Sequence, residues 1–172
     1  TAGVKRIQFE SGIYDFDSAP SDLGGLRLVG AGSSHTTFRI NYNPASDTAG
    51  IFNFTAASGG GMRGIQVKAN SSCLRGVAVR VAEASGGGST DGDYTLLEDL
   101  NITEAHATGL FYYGIALVGD ETTGGIRDVD IRDVDIFATS QASVYLKSAV
   151  SCTLPDVRGF AAGGNAGKLI ID

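Results

Sequence analysis

Long apolar runs are missing from this sequence. Uninterrupted stretches of hydrophobic side chains stop at four or five residues, so no segment has the twenty or so needed to cross a bilayer as a helix. Helical periodicity is missing too. No segment keeps apolar residues on one helical face over the ten to twelve positions a helix needs, and the best local candidate, residues 44–50, makes one turn at most. A helical bundle is thereby set aside. Clustered positive charge is also absent: 13 Lys and Arg stand against 19 Asp and Glu, a formal net charge of −6. Nucleic acids and anionic membrane surfaces are held by grouped Lys and Arg, so neither nucleic-acid binding nor membrane insertion is expected. Cysteine is scarce: Cys73 and Cys152 lie 79 residues apart without a metal-site or redox-motif neighbour. A long-range disulfide and a pair of small buried hydrophobes both fit that spacing. There is no Gly-X-Y period, which excludes collagen. No signal peptide is visible and the sequence does not begin with Met, which leads us to expect a processed product or part of a longer chain.

Glycine is what the chain has in excess, with 25 of 172 residues, about twice the usual share. Val and Ile number 12 each and Thr 13, the residues that suit a pleated surface. Eleven short bursts carry apolar side chains at every second position, from "GIYDF" (12–16) and "GLRLVG" (25–30) through "GIQVKA" (64–69), "LLEDLNI" (96–102) and "IRDVDIRDVDIFA" (126–138) to "KLIID" (168–172). Gly, Ser, Asn and Asp separate them, which is the signature of strands joined by tight turns.

The bursts also resemble one another. Aligned on Ile65, Leu100, Val134 and Val157, they are 35, 34 and 23 residues apart. A second series on Val77, Ile115, Val144 and Leu169 advances by 38, 29 and 25 residues. Two interleaved series describe one repeating turn of a solenoid with loops of variable length, the clearest being the polar segment 83–94. A β-sandwich or barrel is the rival, since it also alternates strands and turns, but it leaves the paired series as coincidence. In a solenoid, Ile65, Val67, Leu100, Ile102, Val129, Ile131, Val134 and Ile136 are expected in the core.

Candidate chemistry follows from the residues between those core positions. Asp128 and Asp130 are expected to face outward from one strand, about 6.6 Å apart, a separation that suits the acid and base of an inverting glycosidase. Asp133 and Asp135 are expected to repeat the pattern on the next strand, with Glu98 and Asp99 one turn earlier as further alternates. A solvated face of alternating acids and arginines accounts for the same residues. Tyr112 or Tyr113, and Tyr145, should face out and offer a sugar- or protein-binding surface. Arg127, Arg132 and His106 complete the candidate binding set. No metal and no cofactor are expected, since no calcium repeat, EF-hand or phosphate loop is present.

The opening "VKRIQFESGIYDFD" (4–17) and the following "GLRLVGAGSSHTTFRI" (25–40) resemble the first two turns of single-stranded right-handed parallel β-helix proteins, the pectate-lyase-like superfamily. Within it, the chain is most similar to the tailspike and tail-fibre proteins of bacteriophages. The resemblance spans the chain as a pattern. The "NTD", "DD", "GHG" and "RIK" signatures of polygalacturonase-like members are absent, so no catalytic residue carries over. The resemblance implies an all-β right-handed parallel β-helix lacking its N-terminal cap helix, with core edges exposed at both ends. It implies a homotrimer in the virion tail, outside the cell and in contact with other virion proteins. There it recognises, and in many relatives cleaves, bacterial surface polysaccharide. A structural spacer without ligand is the alternative from another class, and a small secreted polysaccharide hydrolase or lyase is a third reading.

Overall fold

All eleven bursts fall on strands, and the computed structural model holds no helix among the residues it describes: 5–55, 59–83, 94–104, 109–119, 125–137, 139–149, 151–159 and 169–172. The strands are β1 (Lys5–Gln8), β2 (Gly12–Phe16), β3 (Leu26–Val29), β4 (Thr36–Ile40), β5 (Gly50–Thr55), β6 (Gly60–Ala69) and β7 (Val77–Ala82). They continue as β8 (Thr95–Glu104), β9 (Phe111–Val118), β10 (Val129–Ile136), β11 (Thr139–Lys147), β12 (Val157–Gly159) and β13 (Leu169–Ile171). One sheet has the order β1-β3-β6-β8-β10-β12, with β2 and β4 attached alongside through the second half of β6. The other has the order β5-β7-β9-β11-β13. Every pairing is parallel, and from β5 onward each strand lies in the opposite sheet from the one before it. The protein is therefore an all-β stack of levels shared between two parallel sheets.

The first series of the sequence repeat is a true column of this stack: Ile65 pairs with Leu100, Leu100 with Val134, and Val134 with Val157. The second series holds for Ile115, Val144 and Leu169, but its first member is displaced by two residues, because Val79 and not Val77 pairs with Ile115. The register of β7 on β9 is continuous, with Val77 opposite Tyr113, but alternation is broken beside it. The amides of Tyr112 and Tyr113 both donate to the Gly76 carbonyl, so strict alternation fails there. Val77 consequently faces away from the core that Val79 enters.

A bend column explains why β6, β8 and β10 are long. Gly64, Asp99, Asp133 and Asp156 stand immediately before the four paired apolar residues and have φ of 67, 50, 52 and 55°. Each strand turns a corner there in the left-handed conformation, which glycine adopts freely and aspartate better than most residues. Asp133 and Asp135 thus lie on the same strand as Asp130, across a corner, and not on a following strand.

One core cluster draws side chains from both sheets, so the interior lies between them. The eight expected core residues are all in it and all buried. Phe9, Tyr14, Phe16, Phe38 and Phe52 meet edge-on or tilted near the first levels, where Ile13 remains 63% exposed. At the far end Ile171 is 74% exposed. Neither cysteine is in a disulfide. Cys73 is a buried hydrophobe of the core, its thiol pushed up to about 11 by burial, and Cys152 packs against that core from its margin.

Candidate functional site

The two sheets present two different outer faces. On the first sheet, parallel register sets outward side chains of successive levels side by side, about 4.8 Å apart. Arg63, Glu98 and Arg132 occupy one such column. Glu98 bridges both neighbours, 3.0 Å from Arg63 Nε and 3.2 Å from Arg132 Nε. In the adjacent column the Asp130 carboxylate accepts hydrogen bonds from the Tyr94 hydroxyl and, at 2.8 Å, from Thr153 Oγ1. Arg132 lies 3.7 Å from it. These partners, Tyr94 foremost, hold the Asp130 carboxyl below its usual range against the opposing effect of burial. The Tyr94 phenol is raised by burial and by that same carboxylate.

The other candidate carboxylates are placed differently from the sequence expectation. Asp128 precedes β10 at a φ of 56°, so the extended repeat that would set it two positions along a strand from Asp130 does not run through it. Its backbone carbonyl caps Thr95 instead. Asp99 and Asp133 are corner residues of adjacent levels. The Asp99 carboxylate accepts the Ser33 hydroxyl at 2.6 Å, reaching across Gly64, which has no side chain to block it. Asp135 forms an ion pair with Arg158, 2.7 Å from its Nε, beyond the corner. Arg127 is exposed ahead of β10. His106 lies outside the described residues.

The outer face of the second sheet carries an aromatic and apolar patch. Tyr113 on β9 and Tyr145 on β11 stack almost parallel, with ring centroids 4.9 Å apart and planes 11° from each other. Their partners in register are small: Tyr113 faces Ala142, and Tyr145 faces Ala116. The rings therefore meet diagonally over two alanines, a fit that larger residues would block. Tyr112 packs edge-on against Tyr113, and the Tyr145 hydroxyl donates to Asp172 at 3.0 Å. A hollow of about 250 Å³ opens beside the stack, lined by Val77, Ala116 and Val118 with Thr48, Arg80 and Lys147 as its polar members. Burial raises both phenols, so they remain neutral donors at physiological pH.

The structure brings together Tyr113 with Tyr145, and Asp130 with Arg132 and Glu98. It does not gather the candidate acids into one site. Sequence reasoning missed Arg80 and Lys147, whose approach to the tyrosines depends on the register of β7, β9 and β11, and Thr48 from the turn before β5. The visible signal was the pair of alanines placed opposite the rings. Among the described residues no group of three His, Cys, Asp or Glu side chains is disposed to hold a metal ion. No family model, no curated protein and no solved structure matches this chain.

Proposed function

We propose that this chain forms a closed, right-handed β-solenoid of the kind found in bacteriophage tailspikes and tail fibres, and that it recognises host cell-surface polysaccharide through the tyrosine hollow of its second sheet. The observation that carries this reading is the Tyr113–Tyr145 stack with Arg80, Lys147 and Thr48 at its rim. A tyrosine ring offers an apolar face to the C–H face of a sugar and a hydroxyl to its polar edge. Arg, Lys and Thr beside it supply donors for sugar hydroxyls. The likeness of residues 4–17 and 25–40 to the opening turns of those proteins, and the two-sheet parallel stack, support the same reading. It places the protein in the virion tail, as a homotrimer in contact with other virion proteins.

Recognition is favoured over cleavage by the placement of the candidate carboxylates: Asp99, Asp128 and Asp133 sit at left-handed backbone positions and Asp135 is paired with Arg158, so they do not converge on one hollow. An inverting glycosidase needs one carboxylic acid that keeps its proton near neutral pH. Asp130 is held as an anion by Tyr94, Thr153 and Arg132, which suits a base and not a proton donor.

The test is a panel of purified bacterial capsule and O-antigen polysaccharides, with binding read by calorimetry and cleavage by release of reducing ends. Binding without new reducing ends, weakened about tenfold in Tyr145→Ala by loss of the stacking face, is the expected result. Reducing ends that disappear in Asp130→Asn would replace recognition with degradation. No binding to any polymer, together with strong self-association in light scattering, would leave the structural spacer.

A further inference from the structure

We infer that the first sheet carries an oxyanion-binding site, built by Arg6, Arg27 and Arg63 over the buried side chains of Val29 and Leu96. It lies on the opposite sheet from the tyrosine hollow and does not rest on the glycan reading.

Charge matching along the stack points to it. Elsewhere on this face the arginines meet acids on neighbouring levels: Arg39 with Asp15, Arg63 and Arg132 with Glu98, and Arg158 with Asp135. Arg6 and Arg27 break that rule, because they are paired in register on adjacent strands. Like charges directly opposite one another destabilise a sheet, and among the described residues no acid lines the hollow they share with Arg63. The Arg6 guanidinium donates to the neutral Gln8 Oε1 at 2.7 Å. Arg27 Nε is buried and has no hydrogen-bond partner among the described residues. A buried, unpaired guanidinium N–H is a costly group to leave unmatched, and in a chain of net charge −6 three arginines over one hollow form a local reversal of sign.

The hollow is shaped as well as charged. The next position in the Arg27 column is Gly61, followed by Leu96. Gly61 has a φ of +122°, and a Cβ there would lie 1.9 Å from the Leu96 carbonyl oxygen, so this level holds no side chain. The resulting notch encloses about 210 Å³. Val29 and Leu96 face outward yet are only 8% exposed, as expected when arginine stems lie across them. Guanidinium forks match planar carboxylates and tetrahedral sulfate or phosphate through paired N–H donors. The volume and apolar floor admit an oxyanion carried on a small ring as well as a free one. Arg63 is anchored at 3.0 Å by Glu98 from outside the hollow, which leaves Arg6 and Arg27 as the principal ligands.

The experiment is calorimetric titration of the folded chain with inorganic sulfate, inorganic phosphate and glucuronate, each against chloride at matched ionic strength. Saturable binding of at least one is expected. Glucuronate alone would identify a sugar-borne carboxylate, and sulfate or phosphate alone a tetrahedral ion. Arg27→Gln should bind about tenfold more weakly, the effect of losing one charge-assisted contact, while Arg158→Gln should bind as the parent does. Gln8→Glu, which keeps the shape and gives Arg6 a carboxylate of its own, should also weaken binding and raise the thermal midpoint without added anion. No binding above chloride, or unchanged affinity in both Arg27→Gln and Gln8→Glu, would overturn the site.

Discussion

The two outer faces share one backbone repeat and differ in almost everything else. On the first sheet two columns alternate acid and base level by level, Arg63–Glu98–Arg132 and Asp135–Arg158, and one sets Arg6 beside Arg27. On the second, the columns alternate large and small, with tyrosine rings lying over Ala116 and Ala142. Parallel register fixes the spacing of both at the strand separation. Only the residue type decides whether a column is held by charge, which salt screens, or by ring packing, which it does not.

The largest expected effect lies on the aromatic face. Tyr113→Ala removes a ring that is 9% exposed and stacked on its neighbour, and should cost about 2 kcal/mol in urea unfolding. The cost should be the same at low and at 1 M salt. A loss that shrinks with salt would erase the distinction between the faces. On the charged face, Asp130→Asn should cost about 1 kcal/mol at pH 7, through weaker hydrogen bonds from Tyr94 and Thr153. The folded-state pKa of Asp130 is depressed, so its contribution is present above the unfolded value of about 3.9 and is lost as pH falls through the folded one. The parent and Asp130→Asn should therefore converge in stability in acid, and a constant gap down to pH 2 would contradict the assigned hydrogen bonds. The smallest effect is that of Glu98→Gln, below about 1 kcal/mol because the pairs it breaks are partly solvated. It should fade further in 1 M salt, and a double-mutant cycle with Arg132→Gln measures the coupling directly.

The inward pattern was legible in the sequence because burial enforces it. Ile65, Leu100, Val134 and Val157 align by inspection, and the structure pairs them. The carboxylates were harder. Asp99 and Asp133 looked like outward acids on strands, yet they hold, one and two levels on, the corner position that Gly64 holds on β6. The signal was present: the residue before each aligned apolar position is Gly, Asp, Asp and Asp, the types that tolerate a left-handed backbone. Alternation alone is blind to such a corner. The tyrosine hollow was half visible, since outward tyrosines follow from alternation. Their diagonal contact depends on the register of β9 and β11, which sets Tyr113 opposite Ala142 and Tyr145 opposite Ala116 and which period-two counting cannot see.

The corner column also bears on how such a chain can change. Its members are separated by unequal lengths of sequence, 35, 34 and 23 residues, yet they line up in space, and each strand pairs only with the levels on either side. Chain length between levels is thus uncoupled from the geometry of the ladder. Segments joining the sheets are free to lengthen, shorten or be exchanged without moving Arg27 from Arg6 or Tyr145 from Tyr113. A scaffold of this kind is revised by editing its connections, while the columns keep their place like type set in a fixed frame.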